Sequence, residues 1–151
     1  MDENLERIFA KLRSTADFAD TDFSDINACS IDGDTALHCV ARWGDIAAAQ
    51  ALIGAGIDVS RAGDLGCTPL HVACMKGDLD MIRLLIENGA DPFAMSEGET
   101  PFSAARLAGH SQACDLLQPL MATLQSQDPK VWIRGRIGQL TREIERLKRQ
   151  L

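Results

Sequence analysis

The chain has 151 residues, about one domain, with 46% hydrophobic and 25% charged side chains, a composition that excludes disordered, collagenous and membrane-spanning classes. Its 15 Lys and Arg against 22 Asp and Glu give a net charge of −7, which argues against tight nucleic-acid binding by the chain as a whole. Cys29, Cys39, Cys67, Cys74 and Cys114 are odd in number and scattered, and the start Met1-Asp2-Glu3-Asn4 has neither a basic region nor an apolar core, so a soluble, non-secreted, cytoplasmic protein is expected.

The first predicted element is a helix over residues 4–12, where Leu5, Ile8, Phe9 and Leu12 share one face. Beyond it the chain repeats itself. From Gly33 it reads G-D-T-A-L-H-C-V-A-R-W-G-D, from Gly66 G-C-T-P-L-H-V-A-C-M-K-G-D, and from Gly98 G-E-T-P-F-S-A-A-R-L-A-G-H. Thr35 to Thr68, His38 to His71, Gly44 to Gly77 and Gly56 to Gly89 are each 33 residues, and the next step, Thr68 to Thr100, is 32. Asp25, Asp58 and Asp91 follow the same spacing and open loops, which carries the period upstream of the first full copy.

Each period predicts a helix pair. A threonine before Ala36, Pro69 or Pro101 is a helix start, with the hydroxyl accepting from first-turn amides and proline placed where no donor is lost. The short helix ends at Gly44, Gly77 or Gly109, where a left-handed backbone suits glycine. A second helix follows Asp45, Asp78 or His110, with apolar residues at 3–4 spacing such as Met81, Ile82, Leu84, Leu85 and Ile86, and stops at Gly89 in the middle copy. The ten or so residues to the next threonine form a loop or hairpin.

Thr-Pro-Leu-His at this period resembles the ankyrin repeat. The resemblance covers about Asp25 to Leu117 and departs in the third copy, where Phe102 and Ser103 replace Leu and His and Arg106 stands where a small residue is usual. It implies an all-α solenoid of stacked helix-turn-helix units with hairpin fingers, residues 25–120; the apolar face of residues 4–12 then reads as the capping helix of an N-terminal region, 1–24, with a docking helix as the alternative. It also implies that His38 and His71 hydrogen-bond neighbouring loop backbone, and it assigns partner contacts to Ile31, Asp32, Asp34, Arg42 and Trp43 in the first copy. The second copy supplies Asp64, Leu65, Cys67, Met75 and Lys76, and the third Ser96, Glu97, Glu99 and Leu107. Five of these are acidic and two basic, and Trp43 is the expected anchor, since tryptophan is enriched at binding hot spots, with packing against the neighbouring repeat as the alternative.

After Leu117, Pro119 predicts a break or kink and residues 121–127, ending Gln125-Ser126-Gln127, a polar linker. A last helix, residues 128–151, begins at Asp128-Pro129. Residues 130–151 carry seven basic and two acidic side chains, a local +5 against −12 for the rest. Ile133, Ile137, Leu140, Ile144, Leu147 and Leu151 recur at coiled-coil spacing, beside Trp132. A cap strapped along the repeats, a homodimerising or partner helix, and a basic helix for nucleic acid or a membrane surface are the three readings of this segment.

No close cysteine pair suits a metal, and the nearest approach, His71 with Cys74, reads as helix interior. There is no phosphate-binding glycine loop after a strand and no G-x-S-x-G. The chain is therefore expected to be no enzyme, with no cofactor and no metal, and to act as an interaction module for a protein with a basic and apolar surface. The alternatives are an inhibitor of the immunity type that occludes a basic toxin or enzyme, and nucleic-acid contact through the basic helix.

Overall fold

A computed structural model gives the fold and describes residues 2–127, 137, 140, 141 and 144–150. The first amphipathic stretch is α1 (Glu3–Arg13), opened by the Asp2 carboxylate accepting from the Asn4 amide at 3.1 Å. Ile8, Phe9 and Leu12 are buried and Leu5 is half-buried. A 3-10 turn, Ala16–Phe18, leads into Phe23, which stacks on Phe9 with ring centroids 4.5 Å apart and also packs on Phe18. This aromatic cluster and α1 cover the open end of the first helix pair, as a solenoid requires to keep its end wall out of water.

Helix pairs follow: α2 (Ala36–Trp43) with α3 (Ile46–Gly54), α4 (Pro69–Lys76) with α5 (Leu79–Glu87), and α6 (Pro101–Leu107) with α7 (Ser111–Gln127). α4 packs between α2 and α6, and α5 between α3 and α7, so the first helices form one row and the second helices another. Leu37, Leu70, Leu52, Leu85 and Leu117 are fully buried between them. The starts are those the threonines predict: the Thr68 and Thr100 hydroxyls accept from the His71 and Ser103 amides at 3.4 and 3.2 Å. Gly44 and Gly77 close α2 and α4 in left-handed backbone, with φ of 71° and 69°. The next residue in each copy then caps the second helix, Asp45 accepting from Ala48 and Asp78 from Met81. Two glycine-ended turns thus reverse the chain twice by the same chemistry.

The break expected at Pro119 and the linker over 121–127 do not occur, because α7 runs through both to Gln127. Ala113, Leu117 and Met121, four apart, lie against the core. Pro119 and Asp115, whose carbonyl loses its usual donor, are on the exposed side of α7, where the lost bond costs least, and packing outweighs the proline.

The start of the last helix, with Trp132, Ile133 and Leu151, lies outside the described residues. Residues 144–149 are helical. Ile137, Leu140, Ile144 and Leu147 are between 42% and 56% exposed.

Candidate functional site

Each hairpin finger opens on an aspartate that folds its own loop: Asp25, Asp58 and Asp91 accept from the amides two residues on, at 2.9, 3.0 and 2.9 Å. Adjacent fingers are tied at the next polar position, where Asn27 Oδ1 accepts from the Asp58 amide at 2.8 Å and Ser60 Oγ from the Asp91 amide at 3.1 Å. Sequence reading missed this ladder, although polar residues two places after each of the first two aspartates, Asn27 and Ser60 at the 33-residue period, carry its signal.

The histidines make a second ladder. His38 Nδ1 accepts from the Thr35 amide at 3.0 Å and Nε2 donates to the Cys67 carbonyl at 2.8 Å. His71 repeats the arrangement, Nδ1 on the Thr68 amide at 3.2 Å and Nε2 on the Glu99 carbonyl at 3.0 Å. Each imidazole therefore pins the following finger to its own helix, as the resemblance implies. Burial pushes both imidazoles below the ordinary histidine range, against the opposing pull of Asp34 on His38 and of the Glu99 carbonyl on His71. They are neutral at pH 7 with both nitrogens engaged, which removes them as metal ligands or bases.

His110 ties the last pair to the second, Nε2 donating to the Met75 carbonyl at 2.9 Å. Its ring lies so close to Gly77 that an added Cβ there would be 2.6 Å from Cγ. Burial also pushes the Cys67 thiol up to about 11, Cys74 up to about 12 and Cys39 in the same direction, so these sulfurs stay protonated at neutral pH.

What remains for a ligand is the edge formed by the finger tips and the C-terminal ends of the first helices. Ile31 is 91% exposed, Leu65 60%, Met75 47% and Leu107 71%, and Asp32, Arg42, Asp64, Lys76, Glu97 and Glu99 are exposed around them. Leu65 holds φ of 53°, left-handed backbone that a branched side chain adopts at a cost of about 1 kcal/mol or more.

Asp34, Trp43, Cys67 and Ser96 are half-buried instead and are used by the fold. Asp34 Oδ1 accepts from the Asp64 amide at 2.9 Å and Oδ2 from Arg42 at 3.2 Å. Cys67 supplies the carbonyl that His38 holds, and Ser96 Oγ donates to the Leu65 carbonyl at 3.1 Å. Trp43, the expected anchor, packs against the core with Lys11 Nζ over its ring at 4.1 Å, which joins α2 to the N-terminal cap. Lys76 Nζ donates to the Arg42 carbonyl at 2.6 Å and draws α4 to α2.

Comparison with known proteins agrees with this geometry. A family profile described as ankyrin repeats, in 3 copies, matches residues 8–96 and 50–128. The chain is similar to the mouse (Mus musculus) 2-5A-dependent ribonuclease, 36% identical over 77 residues, 50% of this chain and 10% of that protein. It is similar also to the Neurogenic locus Notch protein of Drosophila melanogaster, 36% identical over 88 residues, and to the human (Homo sapiens) Neurogenic locus notch homolog protein 1, 38% identical over 88, in each case 56% of this chain and 3% of the relative. The chain thus spans a tenth or less of the length of these relatives.

Proposed function

Since the chain belongs to the ankyrin repeat family, whose members are generally non-catalytic modules for protein–protein interaction, we propose that it holds a partner protein on the edge of finger tips and first-helix ends. The observation that carries this reading is the row Ile31, Leu65, Met75 and Leu107, large apolar side chains left in water at positions the fold has no need to fill. Leu65 and Glu97 hold the same left-handed backbone, φ of 53° and 49°, so the finger turn itself presents both side chains outward along that row. The carboxylates of Asp32, Asp64, Glu97 and Glu99 around that row suit a basic partner and speed its approach more than they tighten the final complex.

The chemistry around the face does not favour catalysis: His38 and His71 are neutral with both ring nitrogens engaged, and the buried thiols of Cys39, Cys67 and Cys74 are protonated. Five unpaired cysteines support a reducing compartment. Occlusion of a basic toxin or enzyme is the second reading, favoured by the same exposed carboxylates. Pairing of two copies is supported by the solvent-facing Ile137, Leu140, Ile144 and Leu147.

The test of the docking face is a pull-down from the native lysate comparing wild type with Met75→Glu combined with Leu107→Glu. Both side chains are exposed, so the melting temperature should hold while a specific set of retained proteins disappears. Identical proteins at equal yield from both chains would overturn the assignment.

A further inference from the structure

Among the described residues of the basic C-terminal segment, Arg146 hydrogen-bonds the repeats. Arg146 Nη1 donates to the Gly63 carbonyl at 2.6 Å, and the guanidinium lies over Gly33, where an added Cβ would sit 3.9 Å from Nη2. The notch that holds this contact opens onto a cavity of about 340 Å³ between the first and second fingers, lined by Asp58 and Arg61 on the repeat side and by Glu145, Arg146 and Arg149 on the segment. Its acceptor is presented by the fold. His38 holds the Cys67 carbonyl, which also takes the Gly63 amide at 2.6 Å, and the Gly63 carbonyl accepts from Gly66 at 3.1 Å. One acceptor direction on that oxygen is left for Arg146. Gly63 is irreplaceable here, because a Cβ would collide with Asp34 Oδ1 and lie 2.8 Å from His38 Nε2.

Charge matches the contact, since residues 130–151 carry +5 and the rest of the chain −12. The segment meets the notch through Arg146 while Ile144 and Leu147 stay in solvent, so what is recognised is the arginine and not the apolar stripe. We propose that this notch is an arginine-recognition site on the repeat edge that the chain's own segment 144–150 occupies, so that a partner protein enters it by presenting an arginine on a basic segment and displacing Arg146. The part concerning a partner rests on the docking-face reading; the occupancy by Arg146 does not.

Full-length wild type, Arg146→Ala and Lys148→Ala test this. The last loses the same charge from an exposed side chain outside the notch. In amide NMR spectra, Arg146→Ala should shift Gly33 and residues 62–67 while Lys148→Ala leaves them in place. A fluorescent synthetic peptide of residues 137–151 should bind the Arg146→Ala chain about tenfold more tightly than either of the other two, the size expected for one charge-assisted hydrogen bond competing in cis. The same peptide carrying Arg146→Ala should lose that advantage. Unchanged finger amides in Arg146→Ala, or equal peptide affinity for all three chains, would overturn the proposal. If the finger amides shift and the peptide advantage appears while Met75→Glu with Leu107→Glu retains every partner, the docking-face reading fails and the notch stands. If the finger amides stay in place while that double variant loses its partners, the notch fails and the docking face stands.

Discussion

The second and third repeats place the same backbone under different demands. His71 and Ser103 occupy the same helical position after Thr68 and Thr100, and both take the threonine amide, at 3.2 and 2.8 Å. His71 also reaches the Glu99 carbonyl of the finger beyond, whereas Ser103 turns back to the Thr100 carbonyl at 3.0 Å. Three places further on, Cys74 is fully buried under the third pair and Arg106 is exposed. Capping a helix needs only a short polar side chain, while joining one repeat to the next needs a ring long enough to carry a second nitrogen across. The third copy departs from the pattern where it has no further finger to hold.

The largest test of that difference is truncation of the two residues. His71→Ala leaves the buried Thr68 amide unpaired, takes from the Glu99 carbonyl one of its two donors while the Ser96 amide remains, and opens a cavity, so it should lower stability by roughly 2–4 kcal/mol. Ser103→Ala loses only a half-buried local cap and should cost about 1 kcal/mol or less. Chemical denaturation of both variants checks this, and equal losses would show that the inter-repeat bond adds nothing to the cap.

Acid separates the repeats next. The folded state holds His38 and His71 neutral, so the unfolded chain binds protons first as pH falls through the ordinary histidine value of 6.5. Their contribution is complete above that value and declines below it until the folded imidazoles protonate as well. The loss between pH 7 and 5 is at most about 2 kcal/mol per histidine. Denaturation midpoints at the two pH values should converge in His71→Ala relative to wild type; an unchanged slope would mean that His71 does not supply the pH dependence. The smallest effect belongs to the finger tips. Leu65→Gly relieves left-handed strain at an exposed site and should raise stability by about 1 kcal/mol or less, while a fall would show that the leucine supports its own repeat.

The repeats and their helix starts were legible in the sequence because each is local chemistry printed at a fixed period, while the histidine bonds to the following finger were an implication of the resemblance to the ankyrin repeat. The N-terminal cap was legible from the single apolar face of Leu5, Ile8, Phe9 and Leu12. Pro119 misled because propensity speaks for the residue, while Ala113, Leu117 and Met121 hold α7 across it. Asp34 and Trp43 were assigned to a partner from their repeat positions, yet the Asp64 amide, Arg42 and Lys11 engage them in the fold. Those contacts join residues from different finger or helix neighbourhoods and have no periodic signature. Arg146 on the Gly63 carbonyl, 83 residues apart, lies equally beyond pattern reading.

Hydrogen exchange of the full chain with and without a partner recovered by pull-down bears most directly on the claim that this protein is built to be bound along its finger edge. Protection should concentrate at residues 31–34, 64–67, 75–77 and 96–99 and at the end of α6, with α3 and α5 unchanged. Protection confined to the second-helix row, or none at all, would contradict it.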